Sequence, residues 1–205
     1  MGGDGGALKD AAGGKAADGE EAGRGDTMRY DLTRPLRPGM PVYPGDPPVT
    51  AEGGRWSLGT HTGTHLDAPA HLLAEGADVA ALPLERLLGE AFLIEAAGCL
   101  EADALRGVPA EACRLLVRGG AFLSPEAADR LVRRRVLLFG TDAASCDAPE
   151  AAGLPAHRRL LAAGTPILEG LQLAGVPLGW GRLYCLPLRL ASDGCPVRAA
   201  WEVPA

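Results

Sequence analysis

The chain has 205 residues, 47% of them hydrophobic, which is enough for one domain with a substantial core. A formal net charge of −6 argues against a nucleic-acid groove or an anionic membrane surface as its natural partner. No apolar run reaches the ~20 residues needed to span a bilayer, and no signal-peptide pattern opens the chain. The five cysteines, Cys99, Cys113, Cys146, Cys185 and Cys195, are odd in number and include no CxxC pair. They fit reduced thiols in a cytoplasmic protein better than a disulfide framework. Cys113 and Cys185 lie in apolar runs and read as packing residues.

Residues 1–27 are rich in glycine and alanine, with Leu8 as the only large apolar side chain between Met1 and Met28. Such a segment cannot bury enough surface to offset its ordering entropy, so it reads as a disordered tail, and residues 28–205 as the folded domain. Met28 is then a candidate translation start. Tyr30–Thr33 reads as a short strand, residues 35–48 as Pro- and Gly-dense loops, and Arg55–Thr60 as a strand. Pro83–Leu88 suits a short helix with proline in its first turn. Ala91–Ala97 and Arg114–Val117 read as apolar strands. Ser124 caps a helix running to about Arg134, and Val136–Phe139 is a buried strand. A helix from Pro155 ends at Gly164, a residue suited to the left-handed cap. Thr165–Leu168, Leu183–Leu190 and Val197–Val203 supply the late strands. Helices and strands alternate only in the middle, which predicts a single α/β domain with a mixed, partly barrel-like sheet flanked by helices.

The densest chemistry lies between two of these elements, in His61-Thr62-Gly63-Thr64-His65-Leu66-Asp67-Ala68-Pro69-Ala70-His71. Three of the four histidines of the chain fall within these eleven residues, beside an aspartate. Neutral imidazole and carboxylate are ligands that zinc or manganese prefers. Gly63 and two β-branched threonines oppose a helix, and Ala68-Pro69 favours extended or turn backbone. The stretch reads as a tight loop turning His61, His65 and Asp67 inward around a metal, with His71 one step further out.

HTGTHLDAPAH resembles HxGTHxDxPxH, the signature of the metal-dependent cyclase family, which includes the bacterial kynurenine formamidases. Further blocks carry the resemblance from Met28 to the C-terminus: Tyr30-Asp31-Leu32-Thr33, Pro41-Val42-Tyr43-Pro44-Gly45-Asp46, Gly140-Thr141-Asp142 with Ser145 and Asp147, Ile167-Leu168-Glu169-Gly170, and Asp193-Gly194 with Pro196. The resemblance implies a swivelling β/β/α arrangement, a homodimer, and two divalent ions per subunit, zinc or alternatively manganese. His61, His65 and Asp67 would hold one ion. Asp67, His157 and Glu169 would hold the other. Taken locally, His157 beside Arg158 and Arg159 reads as an exposed helix histidine, and only the resemblance makes it a ligand. Glu169 stands in an apolar stretch where an unpaired carboxylate is costly to bury, so a metal is its simplest partner, with an arginine as the alternative.

Two adjacent ions can lower the pKa of a shared water from 15.7 to about 7 and polarise a carbonyl. An amide nitrogen leaves poorly until protonated, so His71 is the expected proton shuttle, with a further metal ligand as its alternative role. Tyr43, flanked by prolines, is expected to wall a substrate pocket or to pack its loop. The chain departs from the resemblance in a short segment between Pro48 and Trp56 and in the residues flanking His157. The leading expectation is an arylformamidase cleaving N-formyl-L-kynurenine to L-kynurenine and formate. A hydrolase of a lactone, of a cyclic amide such as isatin, or of a polyketide-like ring is the second, and a non-catalytic binding protein the third. Asp142 and Asp147 have no assigned chemical role, beyond capping or orienting their loop.

Overall fold

Period-two alternation of apolar side chains closes most of the strands into a ring. The computed structural model describes residues 27–204, so the expected tail lies, except for Thr27, outside the described residues. The strands are β1 (Thr27–Asp31), β2 (Thr50–Glu52), β3 (Arg55–Ser57), β4 (His65–Asp67), β5 (Leu88–Glu95), β6 (Cys99–Leu100), β7 (Arg114–Arg118), β8 (Phe122–Leu123), β9 (Leu138–Thr141), β10 (Ile167–Glu169), β11 (Gly179–Pro187) and β12 (Gly194–Pro204). The α-helices are α1 (Leu84–Leu87), α2 (Pro125–Arg133) and α3 (Pro155–Ala162). The main sheet runs β1-β12-β11-β5-β7-β9-β10-β4, and a further β12–β4 pairing closes seven of these strands into a barrel. β5, β7, β9 and β10 are parallel neighbours, whereas β10–β4, β4–β12, β12–β11 and β11–β5 are antiparallel. The fold is thus the mixed α/β barrel that the sequence predicts.

Each strand on the helical side separates two cores. Leu116, Leu138 and Leu168 belong to the apolar cluster inside the barrel, together with Leu66, Leu93, Leu183 and Trp201. Their sequence neighbours Leu115, Val117, Phe139 and Ile167 face the other way, against Leu131 of α2 and Leu160 and Leu161 of α3. Burying each such side chain contributes roughly 1.5–3 kcal/mol, so both faces of β7, β9 and β10 hold the sheet in place. The Ser124 hydroxyl accepts the Ala127 N–H at 3.1 Å and starts α2 as the sequence predicts. Gly164, at φ +73°, follows the end of α3. No helix among the described residues is long and apolar enough to cross a membrane.

The structure corrects several expectations. The motif is not a single loop, because His65–Asp67 is the strand that closes the barrel. The strand expected over Arg55–Thr60 stops at Ser57 and pairs only with β2, a short hairpin outside the barrel. β11 begins at Gly179 and ends at Pro187, before Leu188 and Leu190. Proline at 187 ends the ladder, leaving both leucines exposed. Cys113 is exposed, whereas Cys185 is buried as expected.

Packing inside the barrel sets a first test. Gly181 is a diagonal cross-strand neighbour of Trp201, and a Cβ at position 181 would lie 2.3 Å from indole Cε2. Gly181→Ala should therefore lower the free energy of unfolding by about 1–3 kcal/mol, read as a lower urea midpoint at unchanged slope. An unchanged midpoint would show that the indole moves freely.

Candidate metal centre

Strand register gathers the polar residues of the motif on one face. On β4, Leu66 faces the barrel interior, so His65 and Asp67 face outward. β10 repeats the pattern, with Leu168 inside and Ile167 and Glu169 outside. The antiparallel pairing sets Glu169 opposite His65, and Ile167 opposite Asp67. From the other side, β12 sets Gly194 opposite Asp67. Gly194 offers no side chain there, and the His61 imidazole takes the space: a Cβ at 194 would stand 2.5 Å from His61 Cε1. α3, packed over the same face, brings in His157, which is buried rather than exposed as its local sequence suggests.

Two groups of donors result, and they share one carboxylate. Asp67 Oδ1 lies 2.7 Å from His61 Nδ1 and 3.4 Å from His65 Nε2. Its Oδ2 lies 3.4 Å from His157 Nε2, which is also 3.2 Å from Glu169 Oε1. His61, His65 and Asp67 form one cluster of potential ligand atoms, and Asp67, His157 and Glu169 form the other, each within 4.8 Å. The five residues that the resemblance assigns to the metal are therefore together in space, with Asp67 between the two sets.

Electrostatics follow from that crowding. Burial alone would raise Asp67, but the charge of His65 and hydrogen bonds from His157 and His61 hold its carboxyl well below the usual range. Burial alone would lower His61, but Asp67 and then Asp193 outweigh it and lift the imidazole to about 9. The donor chemistry suits zinc or manganese, since in each set imidazole nitrogens and carboxylate oxygens converge to within 4.8 Å of one another. Two carboxylates this deeply buried need countercharge. Protonated imidazoles can supply it, and divalent cations can supply it by competing for the same nitrogen lone pairs. The residues thus fit the expected ions.

A second ring of groups holds the donors in place. Asp147 accepts the N–H groups of Ala156 at 2.7 Å and His157 at 3.0 Å, and its Oδ2 lies 2.6 Å from His157 Nδ1. This fixes the start of α3 and leaves His157 Nε2 toward the donors. The Cys146 N–H donates to Glu169 Oε1 at 2.6 Å, and the Cys146 thiol, raised to about 12 by burial, sits 3.3 Å from His157 Nδ1. Asp193 Oδ2 lies 2.9 Å from His61 Nε2 and 3.3 Å from His71 Nδ1, so one carboxylate steadies both rings. Burial alone would raise Asp193, but hydrogen bonds from His61 and His71 hold it at about 2. Asp142 instead accepts the Gly119 and Gly120 N–H groups and ties two loops together. Sequence reading left Cys146 and Asp193 without a role. Asp193-Gly194 stands in a block of the resemblance, yet only the fold shows that it meets His61.

The donors form the floor of a cavity of about 620 Å³. Met40, Val42, Tyr43 and Leu154 give it an apolar wall, while Arg34, His71 and Ser145 add polar edges. Tyr43 is half exposed on this wall. A cavity of this size, mostly apolar and with a few convergent polar groups, is typical of small-molecule sites.

The family described as "Putative cyclase" matches residues 30–148. Among solved structures, a potential metal-dependent hydrolase with cyclase activity is 29% identical with a TM-score of 0.78, covering 86% of this chain and 98% of its own. A metal-dependent hydrolase from Bacillus stearothermophilus, its function a prediction, is 28% identical at TM-score 0.72, again covering 86% and 98%. Isatin hydrolase A from Labrenzia aggregata shares the fold at 24% identity and TM-score 0.77, covering 87% of this chain and 94% of its own.

The Asp147–His157 contact supplies the second test. Groups that orient a ligating histidine typically contribute 10–100-fold to metal affinity, so Asp147→Asn should weaken zinc binding by about that factor in a chelator competition. Unchanged affinity would make Asp147 only a helix cap.

Proposed function

The chain belongs to the cyclase family, and we propose that it is a metal-dependent hydrolase of N-aryl amides. The observation that carries this reading is the buried Asp67 shared between two donor sets, on the floor of a mostly apolar cavity. His61, His65 and Asp67 would hold one divalent ion, zinc or manganese, and Asp67, His157 and Glu169 a second. Such ions supply Lewis acidity, which acidifies water and polarises a substrate carbonyl.

The residues of the chain account for the rest. The wall of Met40, Val42, Tyr43 and Leu154 receives an aryl group and keeps bulk water from that side of the scissile bond. His71 lines the same cavity, with its Nδ1 facing Asp193. That carboxylate only accepts hydrogen bonds, so Nδ1 keeps its proton and donates it toward Asp193, which leaves Nε2 as the nitrogen that exchanges protons with substrate. Water adds to the carbonyl carbon, the C–N bond then breaks, and His71 delivers the proton that the departing nitrogen requires. The products are a carboxylate and an aryl amine.

Within this class the leading substrate is N-formyl-L-kynurenine, cleaved to L-kynurenine and formate. A cyclic aryl amide such as isatin is the second reading, supported by the fold shared with isatin hydrolase A. We further propose that the protein acts as a homodimer. Trp180, Leu186 and Leu188 remain exposed on and just beyond β11, which suits such a contact. A hydrolysis screen of N-formyl-L-kynurenine, formanilides, lactones and isatin with the metal-reconstituted protein tests the reading. Turnover of none of the amides would overturn it.

His71 separates a catalyst from a metal-binding scaffold. His71→Ala should keep its metal but lose about 10²–10⁴-fold in amidase rate. It should retain more esterase activity, because a good oxygen leaving group needs less protonation. Loss of metal would make His71 a ligand, and an unchanged amidase rate would place proton delivery elsewhere.

A further inference from the structure

We propose that Arg34 selects substrates bearing a carboxylate, so that the hydrolysed aryl amide carries one. This inference rests on the hydrolase reading above and narrows its substrate class. Arg34 is anchored next to both donor strands. Its backbone N–H donates to Thr64 Oγ1 at 2.9 Å, and that hydroxyl donates to the Gly170 carbonyl at 2.7 Å. Thr64 directly precedes His65, and Gly170 directly follows Glu169. The guanidinium is steadied in turn, with Nη2 donating to the Asp142 carbonyl at 3.0 Å.

Its charge, by contrast, has no partner among the described residues, where no carboxylate pairs with Arg34. Asp31, Asp142, Asp67 and Glu169, which line cavities together with Arg34, are engaged elsewhere. Asp31 pairs with Arg198 through two contacts of 2.7 and 2.9 Å, and the Asp142 carboxylate takes the N–H groups of Gly119 and Gly120. Asp67 and Glu169 face the histidines. Among the described residues Arg34 is the one arginine or lysine lining the cavity, and its Nε and Nη1 donors make no hydrogen bond to any of them. Nη2 has a second N–H besides the one given to Asp142, so a fork of Nη2 with Nε or with Nη1 stays open, and that matches a carboxylate in a two-pronged contact. Asp46, the one acid of the lining outside the donor set, stands on the loop of Tyr43. Its negative charge disfavours an anion at that loop and leaves Arg34 as the place for one. The substrate this describes has an aryl body against the apolar wall, an amide over the donors and a carboxylate at Arg34.

The test compares 3-formamidobenzoate with its neutral isostere 3-formamidobenzamide, using the metal-loaded protein. Wild type should favour the anion by about 10–100-fold in kcat/KM, carried mainly by KM, because a hydrogen bond to a charged group contributes that much. Arg34→Gln should collapse the preference, and Arg34→Lys should keep part of it. No preference in wild type, or an equal fall for both substrates in Arg34→Gln, would overturn the inference. If neither compound is turned over, the hydrolase reading fails separately. Calorimetric binding of benzoate against benzamide then decides: selective loss of benzoate affinity in Arg34→Gln supports the role of Arg34, and equal affinities refute it.

Discussion

A single buried carboxylate organises this molecule. Asp67 is almost wholly inaccessible, yet three imidazoles stand within 3.4 Å of its two oxygens. Removing such a charge from water costs several kcal/mol unless countercharge and hydrogen bonds replace the solvent. Asp67 also lies on β4, the strand that joins β10 to β12 and closes the barrel. Closure and site assembly are therefore one event. The hydrophobic drive that seats Leu66 inside the barrel forces Asp67 and His65 onto the outer face, where α3 and the His61 turn must meet them.

That arrangement divides labour between rigid and variable parts. Four of the five donors come from short strands and the first turn of a helix, each fixed by core packing on its buried side, and His61 comes from the turn before β4. The apolar cavity wall comes from the Pro- and Gly-rich segment that contains Met40, Val42 and Tyr43, held by turns rather than by a sheet. A scaffold of this kind can keep one hydrolytic floor while the wall decides which acyl or aryl group enters. Arg34 sits at the boundary, anchored to the floor through Thr64 and among the residues that line the cavity.

How much of this the sequence carries depends on range. His61, His65 and Asp67 are legible together because they are local, and so is the capped start of α2 at Ser124. The barrel closure is not, because a three-residue strand flanked by Gly63 and Pro69 carries too short an alternating pattern to read as sheet. His157 and Glu169 lie about a hundred residues downstream, and family resemblance rather than local pattern connects them to the motif. Asp193 and Cys146 carry no local signal at all. Their roles arise from pairings across β4–β12 and from the loop after β9, contacts of long sequence separation that neither periodicity nor spacing encodes. Cys113 misleads for the opposite reason: it stands close to the apolar Leu115-Leu116-Val117 run, but it precedes β7 on an exposed segment.

The central claim is that Asp67 is shared by two divalent ions, and metal stoichiometry tests it most directly. Elemental analysis of gently purified or reconstituted protein should give two ions per chain. Glu169→Gln should lose one ion and keep the other at His61, His65 and Asp67, whereas Asp67→Asn should lose both. A chain that takes up no metal on reconstitution, or one whose metal content is untouched by Asp67→Asn, would contradict the account.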